Sequence, residues 1–180
     1  MGWEYTTNYC GLKNCDVANG PGMRVSLFVS GCTNHCPGCF QPETWDFEYG
    51  QPFGPAAEQE ILDLLEHSYI DGLTLLGGDP FEPQNQKVLL PFLKKVRERF
   101  PNKTIWCYTG FRLEEELLCD GSHPRCDETD EMLSLLDVLV DGRFVEAKKD
   151  IRLNFRGSSN QRIIDVQKTL KTGEVVTLNI

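Results

Sequence analysis

The stretch "MRVSLFVSGCTNHCPGCF", residues 23–40, runs from an apolar strand signal straight into three closely spaced cysteines. Val25, Leu27 and Val29 alternate with Arg24 and Ser26, while Phe28 adds an apolar residue to the other side. That pattern predicts a strand over Met23–Ser30 covered on both faces. Gly20-Pro21-Gly22 opens the strand and Gly31 closes it, so the cysteine loop hangs from its C-terminal end.

Further along the chain the same alternation of apolar runs and turn signals repeats. Pro55 opens a helix with Ile61, Leu62, Leu65 and Tyr69 on one apolar side. "LTLL" (Leu73–Leu76) is a buried-strand run that stops at Gly77-Gly78-Asp79-Pro80. Leu89, Phe92, Leu93, Val96 and Phe100 have helical spacing, and Pro91 is expected to start or kink that helix. "TIWCY" (Thr104–Tyr108) is a third strand, followed by helical material around Leu113–Leu118 and Met132–Leu136, and "VLV" (Val138–Val140) is a fourth. The order β-α-β-α-β-α-β predicts an α/β fold with a mostly parallel sheet and right-handed crossovers. Each strand runs into a polar or glycine-rich motif, so one mouth at the strands' C-terminal ends collects the cysteine loop, "GGDP", "YTG" and "VDG". Residues 150–180, with "IRLNF" and "EVVTL", read as a short irregular or β tail.

The 180 residues suit one domain over 1–180, and the apolar fraction of 40% and charged fraction of 25% are those of a soluble globular chain. A net charge of −9 without a basic stripe argues against nucleic acid as a direct partner. No secretory leader and no apolar run of membrane-spanning length is present, so a cytoplasmic protein without membrane association is expected. "MGWEYT" fits the loose myristoylation pattern, which is discounted because so short a pattern arises by chance and one acyl chain anchors marginally.

Eight cysteines in a chain of cytosolic type call for chemistry other than disulfides. Cys36 and Cys39 can be read as a disulfide or as a thioredoxin-type C-x-x-C, but that motif has no use for Cys32. A structural zinc needs four ligands, and His35 lies awkwardly inside the same short loop. The spacing Cys-x3-Cys-x2-Cys fits a [4Fe–4S] cube held at three irons, the fourth iron being left open to substrate.

The C-x3-C-x2-C after a first strand resembles the radical S-adenosylmethionine (SAM) superfamily, and "GGDP" resembles that superfamily's GGE-type motif. "NGPGMRVSLFVSGCTNHCPGCFQPETW", "GGDPFEPQN", "IWCYTGF" and "DVLVDGRFVEAKKDIRLNFRGSSNQR" are similar to the narrower family of anaerobic ribonucleoside-triphosphate reductase-activating proteins. The resemblance implies a partial (β/α) barrel of radical SAM type, open on one side to a large protein substrate. It implies that Cys32, Cys36 and Cys39 ligate the cluster and that the open iron chelates the amino and carboxylate groups of SAM. One electron then breaks the sulfonium C–S bond, and a 5′-deoxyadenosyl radical takes hydrogen from a glycine of the reductase large subunit. Flavodoxin or ferredoxin is the conventional electron donor. No catalytic side chain beyond the cluster and cofactor is implied.

On the same footing, Gly77, Gly78 and Asp79 are expected at the SAM amino group, where glycine allows close approach and Asp79 accepts from the ammonium. Backbone groups of Gly38 and Phe40 are expected at adenine, Gly38 standing where the superfamily commonly has an aromatic residue. Thr109 and Asp141, at strand ends, are candidates for ribose or carboxylate contacts, although Asp-Gly is also a common turn pair. His35 either tunes the cluster or is a surface residue. "RGSSNQR" (Arg156–Arg162) either lines the mouth, meets the partner or caps a helix. Cys107 reads as a small buried residue. Cys119, His123 and Cys126 form a C-x3-H-x2-C set that, with Cys10 or Cys15, can complete a second metal site, against the simpler reading of reduced surface thiols. Competing functions are an activase of another glycyl-radical enzyme, a small-molecule radical SAM enzyme, an iron–sulfur electron carrier and a C-x-x-C thiol oxidoreductase.

Overall fold

The computed structural model describes residues 6–180; the acylation-type start, apart from Thr6, lies outside the described residues. The elements follow in the order β1 (Asn8–Asp16), β2 (Arg24–Val29), β3 (Gln51–Pro52), α1 (Pro55–Leu65), β4 (Gly72–Gly77), α2 (Pro83–Arg99), β5 (Thr104–Tyr108), α3 (Thr129–Ser134), β6 (Val138–Asp141), β7 (Arg162–Asp165) and α4 (Val166–Thr172). They form one seven-stranded sheet in the order β3-β1-β2-β4-β5-β6-β7. The four expected strands, β2, β4, β5 and β6, are its parallel centre. The flanks are antiparallel: β1 pairs with β2 and with β3, and β7 pairs with β6.

Alternation along each central strand divides the sheet into two faces. Val25, Leu27 and Val29 of β2, Leu73 and Leu75 of β4, Ile105 and Cys107 of β5 and Leu139 of β6 are fully buried on one face. There they pack with Ile61 and Leu65 of α1 and with Leu89, Phe92, Leu93 and Val96 of α2 in the main core. Each such side chain contributes about 1.5–3 kcal/mol by burial. The opposite face carries a smaller cluster of Trp106, Val138, Val140 and Ile163, with Tyr108, Phe155 and Leu178 against it. Strand β2 is thus covered on both faces, as its sequence predicts. Arg24 is fully buried on this second face, where neutral oxygens receive it: Nε donates to Thr74 Oγ1 at 2.8 Å and Nη2 to the Leu73 carbonyl at 2.9 Å.

Several expectations are corrected. Helix α2 begins at Pro83, not at Pro91, and continues through Pro91 to Arg99. Tyr69 lies beyond the end of α1 and is 57% exposed, so it is not part of that helix's apolar side. The helical material expected around Leu113–Leu118 is present, as a single π-helical turn over Leu113–Leu117. The tail is not merely irregular or β: it holds β7 and α4, the helix capped by Asp165, whose side chain accepts from the Lys168 N–H, and ended by Gly173 at φ 77°. "IRLNF" forms no strand, and "EVVTL" contributes only the bridge between Thr177 and Ile164. Among the described residues, no helix is long and apolar enough to cross a membrane.

Candidate functional site

The C-terminal ends of β2, β4, β5 and β6 open on one cleft of about 640 Å³. Cys32, Cys36 and Cys39 line it together with Gly77, Gly78, Asp79, Thr109, Gly110 and Gly142, so the four motifs expected at one mouth are brought together. Phe28, Phe40, Trp45, Tyr108, Phe144 and Phe155 give part of its wall an aromatic surface.

The cysteine loop is held from behind by three segments. Gly31 adopts φ 98°, where a Cβ would lie 2.3 Å from the Phe47 ring, so only glycine turns the chain here. Its N–H donates to the Thr44 carbonyl at 2.7 Å, and the Cys32 N–H donates to the Trp45 carbonyl at 3.3 Å, so "PETW" props the root of the loop. The second segment is the turn after β4, whose Gly78 and Asp79 N–H groups donate to the carbonyls of Val29 and Gly31. A Cβ on Gly77 would stand 2.4 Å from the Val29 carbonyl oxygen, and one on Gly78 would stand 2.6 Å from that of Gly31. Both glycines are therefore required first by the approach of backbone to backbone. Asn85, fully buried on α2, ties these pieces by donating to the carbonyls of Ser30 and Asp79.

Glu82 is the third support. Only 1% exposed, its Oε1 accepts from both the N–H and the hydroxyl of Thr33 at 2.6 Å, and Oε2 meets His123 Nε2 at 2.8 Å. His123 therefore serves the cysteine loop from the C-x3-H-x2-C segment, while Cys119 is exposed and Cys126 lies against Thr129. Glu82→Ala leaves the Thr33 donors without their acceptor. The variant is expected to lose iron to a chelator about tenfold faster than the parent, on a loss of roughly 1.5–3 kcal/mol for charge-assisted bonds. Anaerobic absorbance decay measures this, and an unchanged rate would show that Glu82 carries no part of the loop.

Asp79 is fully buried and meets four donors: Phe81 N–H and Thr109 hydroxyl on Oδ1, Gly110 N–H and Asn34 Nδ2 on Oδ2. These occupy the acceptor positions of a carboxylate. Burial pushes its pKa up to about 7 against the opposition of those bonds. Asp141 is likewise fully buried, accepting from the Leu113 N–H at 2.9 Å and from Arg162 Nε at 2.9 Å, and it does not line the cleft. Gly38, at φ 77° beside Glu146, does not line it either, whereas Phe40 does, 70% exposed with its ring 5.3 Å from that of Phe144. His35 stacks on Trp45 at 4.4 Å.

All eight cysteines are free thiols. Burial, followed by the charge of Asp79, pushes the Cys32 thiol up to about 12, and burial also raises Cys36. A nucleophilic C-x-x-C needs its thiol pKa lowered, so this environment is the wrong one for thiol exchange. Raised thiols become thiolates when metal displaces their protons. Among the described residues, no three Cys, His, Asp or Glu side chains stand close enough to hold a single metal ion. A multi-iron cube spreads its ligands more widely, and three soft thiolates are the donor set it takes. Two cleft-lining residues carry buried polar atoms with no partner, Asn34 Oδ1 and Arg156 Nε, an acceptor and a donor suited to a zwitterionic ligand. The cleft thus fits both a cluster and SAM. The sequence reading missed the supports Glu82, Asn85 and Thr44; only Glu82, ahead of Pro83 at a helix start, carried a local signal.

A family model described as "4Fe-4S single cluster domain" matches residues 18–164. A protein of Escherichia coli (strain K12) named anaerobic ribonucleoside-triphosphate reductase-activating protein is 42% identical over 156 residues, covering 86% of this chain and 96% of its own. Its namesake from Pasteurella multocida (strain Pm70) is 44% identical over 158 residues, 87% of this chain and 96% of its own. The one from Enterobacteria phage T4 is 40% identical over 156 residues, with coverage of 87% and 92%.

Proposed function

The chain belongs to the family of anaerobic ribonucleoside-triphosphate reductase-activating proteins, and on that premise we propose that it generates a glycyl radical on the reductase large subunit. The observation that carries this reading is the convergence of Cys32, Cys36 and Cys39 on one cleft with the strand ends of β4 and β5. When bound there, the [4Fe–4S] cluster and SAM would supply one-electron cleavage of the sulfonium C–S bond, releasing methionine and the carbon radical to which the reductase glycine gives up a hydrogen atom.

The chain's own residues do the rest. Cys32, Cys36 and Cys39 hold the cluster; Gly77, Gly78 and Asp79 shape the turn that faces the SAM amino group. Because the Asp79 carboxylate is already engaged by four protein donors, its part is to fix that turn. Thr109 belongs to the same assembly, and Asp141 fixes the wall formed by β6, β7 and the π turn. Phe40 faces adenine from the cleft wall, while Gly38, outside that wall, turns the loop between Cys36 and Cys39. The aromatic wall excludes water from a reactive radical. The net charge of −9 attracts the cationic sulfonium compound.

Residues 1–180 act as one domain, supported by a single sheet, and the sheet has the form of a partial radical SAM barrel, supported by the cleft on its second face. Electrons come from flavodoxin or ferredoxin. The compartment is the cytoplasm, supported by the crowding of three of the eight cysteines into one metal-type loop, chemistry that a reducing compartment keeps available. The test is anaerobic: the reconstituted, reduced protein is mixed with SAM and the reductase, and the glycyl radical is read by electron paramagnetic resonance. A radical doublet on the reductase is expected. Formation of 5′-deoxyadenosine with no doublet would move the assignment to another glycyl-radical enzyme or to a small-molecule substrate.

A further inference from the structure

The segment "RGSSNQR" is built by bonds within itself and to its neighbours, with one exception. Gln161 Oε1 accepts from the N–H groups of Gly157 and Ser158, and its Nε2 donates to the Gly142 carbonyl. Ser158, fully buried, accepts from the Val145 N–H, and Asn160 Nδ2 donates to the Arg143 carbonyl. Arg162 is paired with Asp141 and Glu114. Arg156 is the exception. Its Nη1 donates to the Gln161 carbonyl at 2.7 Å, its Nε is buried without a partner, and no acid is paired with it among the described residues. Of the other arginines of this acidic chain, 97, 99, 125, 143, 152 and 162 each have a carboxylate, while Arg24 is met by neutral oxygens and Arg112, outside the cleft lining, has no ion pair among the described residues.

Arg156 lines the cleft, and the bond from Nη1 leaves the Nε–Nη2 edge of the guanidinium free. That edge is the fork that receives a carboxylate through two parallel bonds. The residue before it, Phe155, holds φ 55°, a left-handed conformation unusual for a bulky side chain. It is kept there by the Tyr108 hydroxyl, which donates to its carbonyl at 2.8 Å, and by the edge of the Trp106 ring. Strain of this kind persists where the surroundings over-determine it, and here it falls immediately ahead of the unpaired cation.

Resting on the reading that SAM is the cofactor, we infer that Arg156 binds the methionyl carboxylate, the only anionic group SAM has, through its Nε–Nη2 edge. The role is recognition of one end of the cofactor, and it gives the segment a task beyond its own folding. Arg156→Gln removes the charge and the fork; Arg156→Lys keeps the charge and loses the fork.

The experiment is anaerobic equilibrium dialysis of cluster-loaded protein against labelled SAM and against decarboxylated SAM, with iron per chain measured on every sample. Arg156→Gln is expected to weaken SAM binding about tenfold to a hundredfold, the range for loss of a charge-assisted pair. Its affinity for decarboxylated SAM stays at the parent's value, and Arg156→Lys recovers part of the SAM affinity. Equal affinity of parent and Arg156→Gln for SAM overturns the inference, as does an equal loss for both compounds. It is also overturned if SAM binding stays intact and only the glycyl radical is lost, which would direct Arg156 to the reductase. Should Arg156→Gln fail to load iron, Arg156→Lys decides by the same comparison. A parent that binds no SAM removes the functional reading itself, a result distinct from all of these.

Discussion

Cys32→Ala is expected to abolish 5′-deoxyadenosine formation, with a fall of at least about a thousandfold, and to leave the chain with little iron. Cys32 sits at the root of the loop, 9% exposed, with its N–H on the Trp45 carbonyl and its neighbour Gly31 turned by a conformation only glycine supports. Two thiolates cannot retain a cube that ordinarily takes four cysteine ligands and here has three. Cys36→Ala and Cys39→Ala are expected to behave alike, since both thiols line the same cleft. Cys119→Ser, at an exposed thiol, is the control and should keep about four irons per chain. Iron analysis and product chromatography on the same samples check the prediction. Cleavage of SAM by Cys32→Ala at the parent's rate would remove the cluster from the mechanism.

The raised thiols add a condition to the assembly step. Cys32, pushed up to about 12, and Cys36, raised by burial, are protonated in the metal-free protein near neutrality. Loading the cluster therefore releases protons, and iron uptake is favoured as pH rises.

What the sequence disclosed depended on whether an element's surroundings were local. β2, β4, β5 and β6 were readable because buried runs ended in glycine-rich turns. β1 was not: it is half-exposed, carries Gly11 next to its central residue and shifts register twice against β2. β7 was hidden for the opposite reason. Its adjacent Ile163 and Ile164 pack into different clusters on the two faces of the sheet, so no alternation marks it. "IRLNF" misled because its alternation serves no sheet face as a strand would: Ile151 is 91% exposed, and only Phe155 packs on the smaller cluster. At the site, the cysteine ligand set and the meeting of four strand-end motifs were legible from spacing and order. The tasks of Asp79 and Asp141 were not, since all their donors but Phe81 arrive from residues 21 to 45 positions away.

Asp79→Ala is expected to cost the metal-free protein about 3–5 kcal/mol, since each buried donor left unsatisfied costs about 1–3 kcal/mol. It strands the Thr109 hydroxyl, the Gly110 and Phe81 N–H groups and the Asn34 amide, and so frees the turn after β4 from both β5 and the cysteine loop. For a chain of this size the loss lowers Tm by roughly 10 °C. The pH dependence has an unusual sign for an acid. Burial lifts the Asp79 pKa from 3.8 to about 7, so the folded state holds this proton where the unfolded state has released it. Its contribution is fully present below about pH 4, falls as pH rises through about 7, and is flat beyond, a total on the order of 4 kcal/mol. Asp79→Asn, which cannot ionise, should lack that descending limb while retaining a side chain of the same shape. Urea unfolding of the metal-free parent and both variants between pH 4 and 8 reads this directly. A parent whose stability is level across that range, or an Asn variant that declines in parallel with it, would show that Asp79 does not take up its proton on folding.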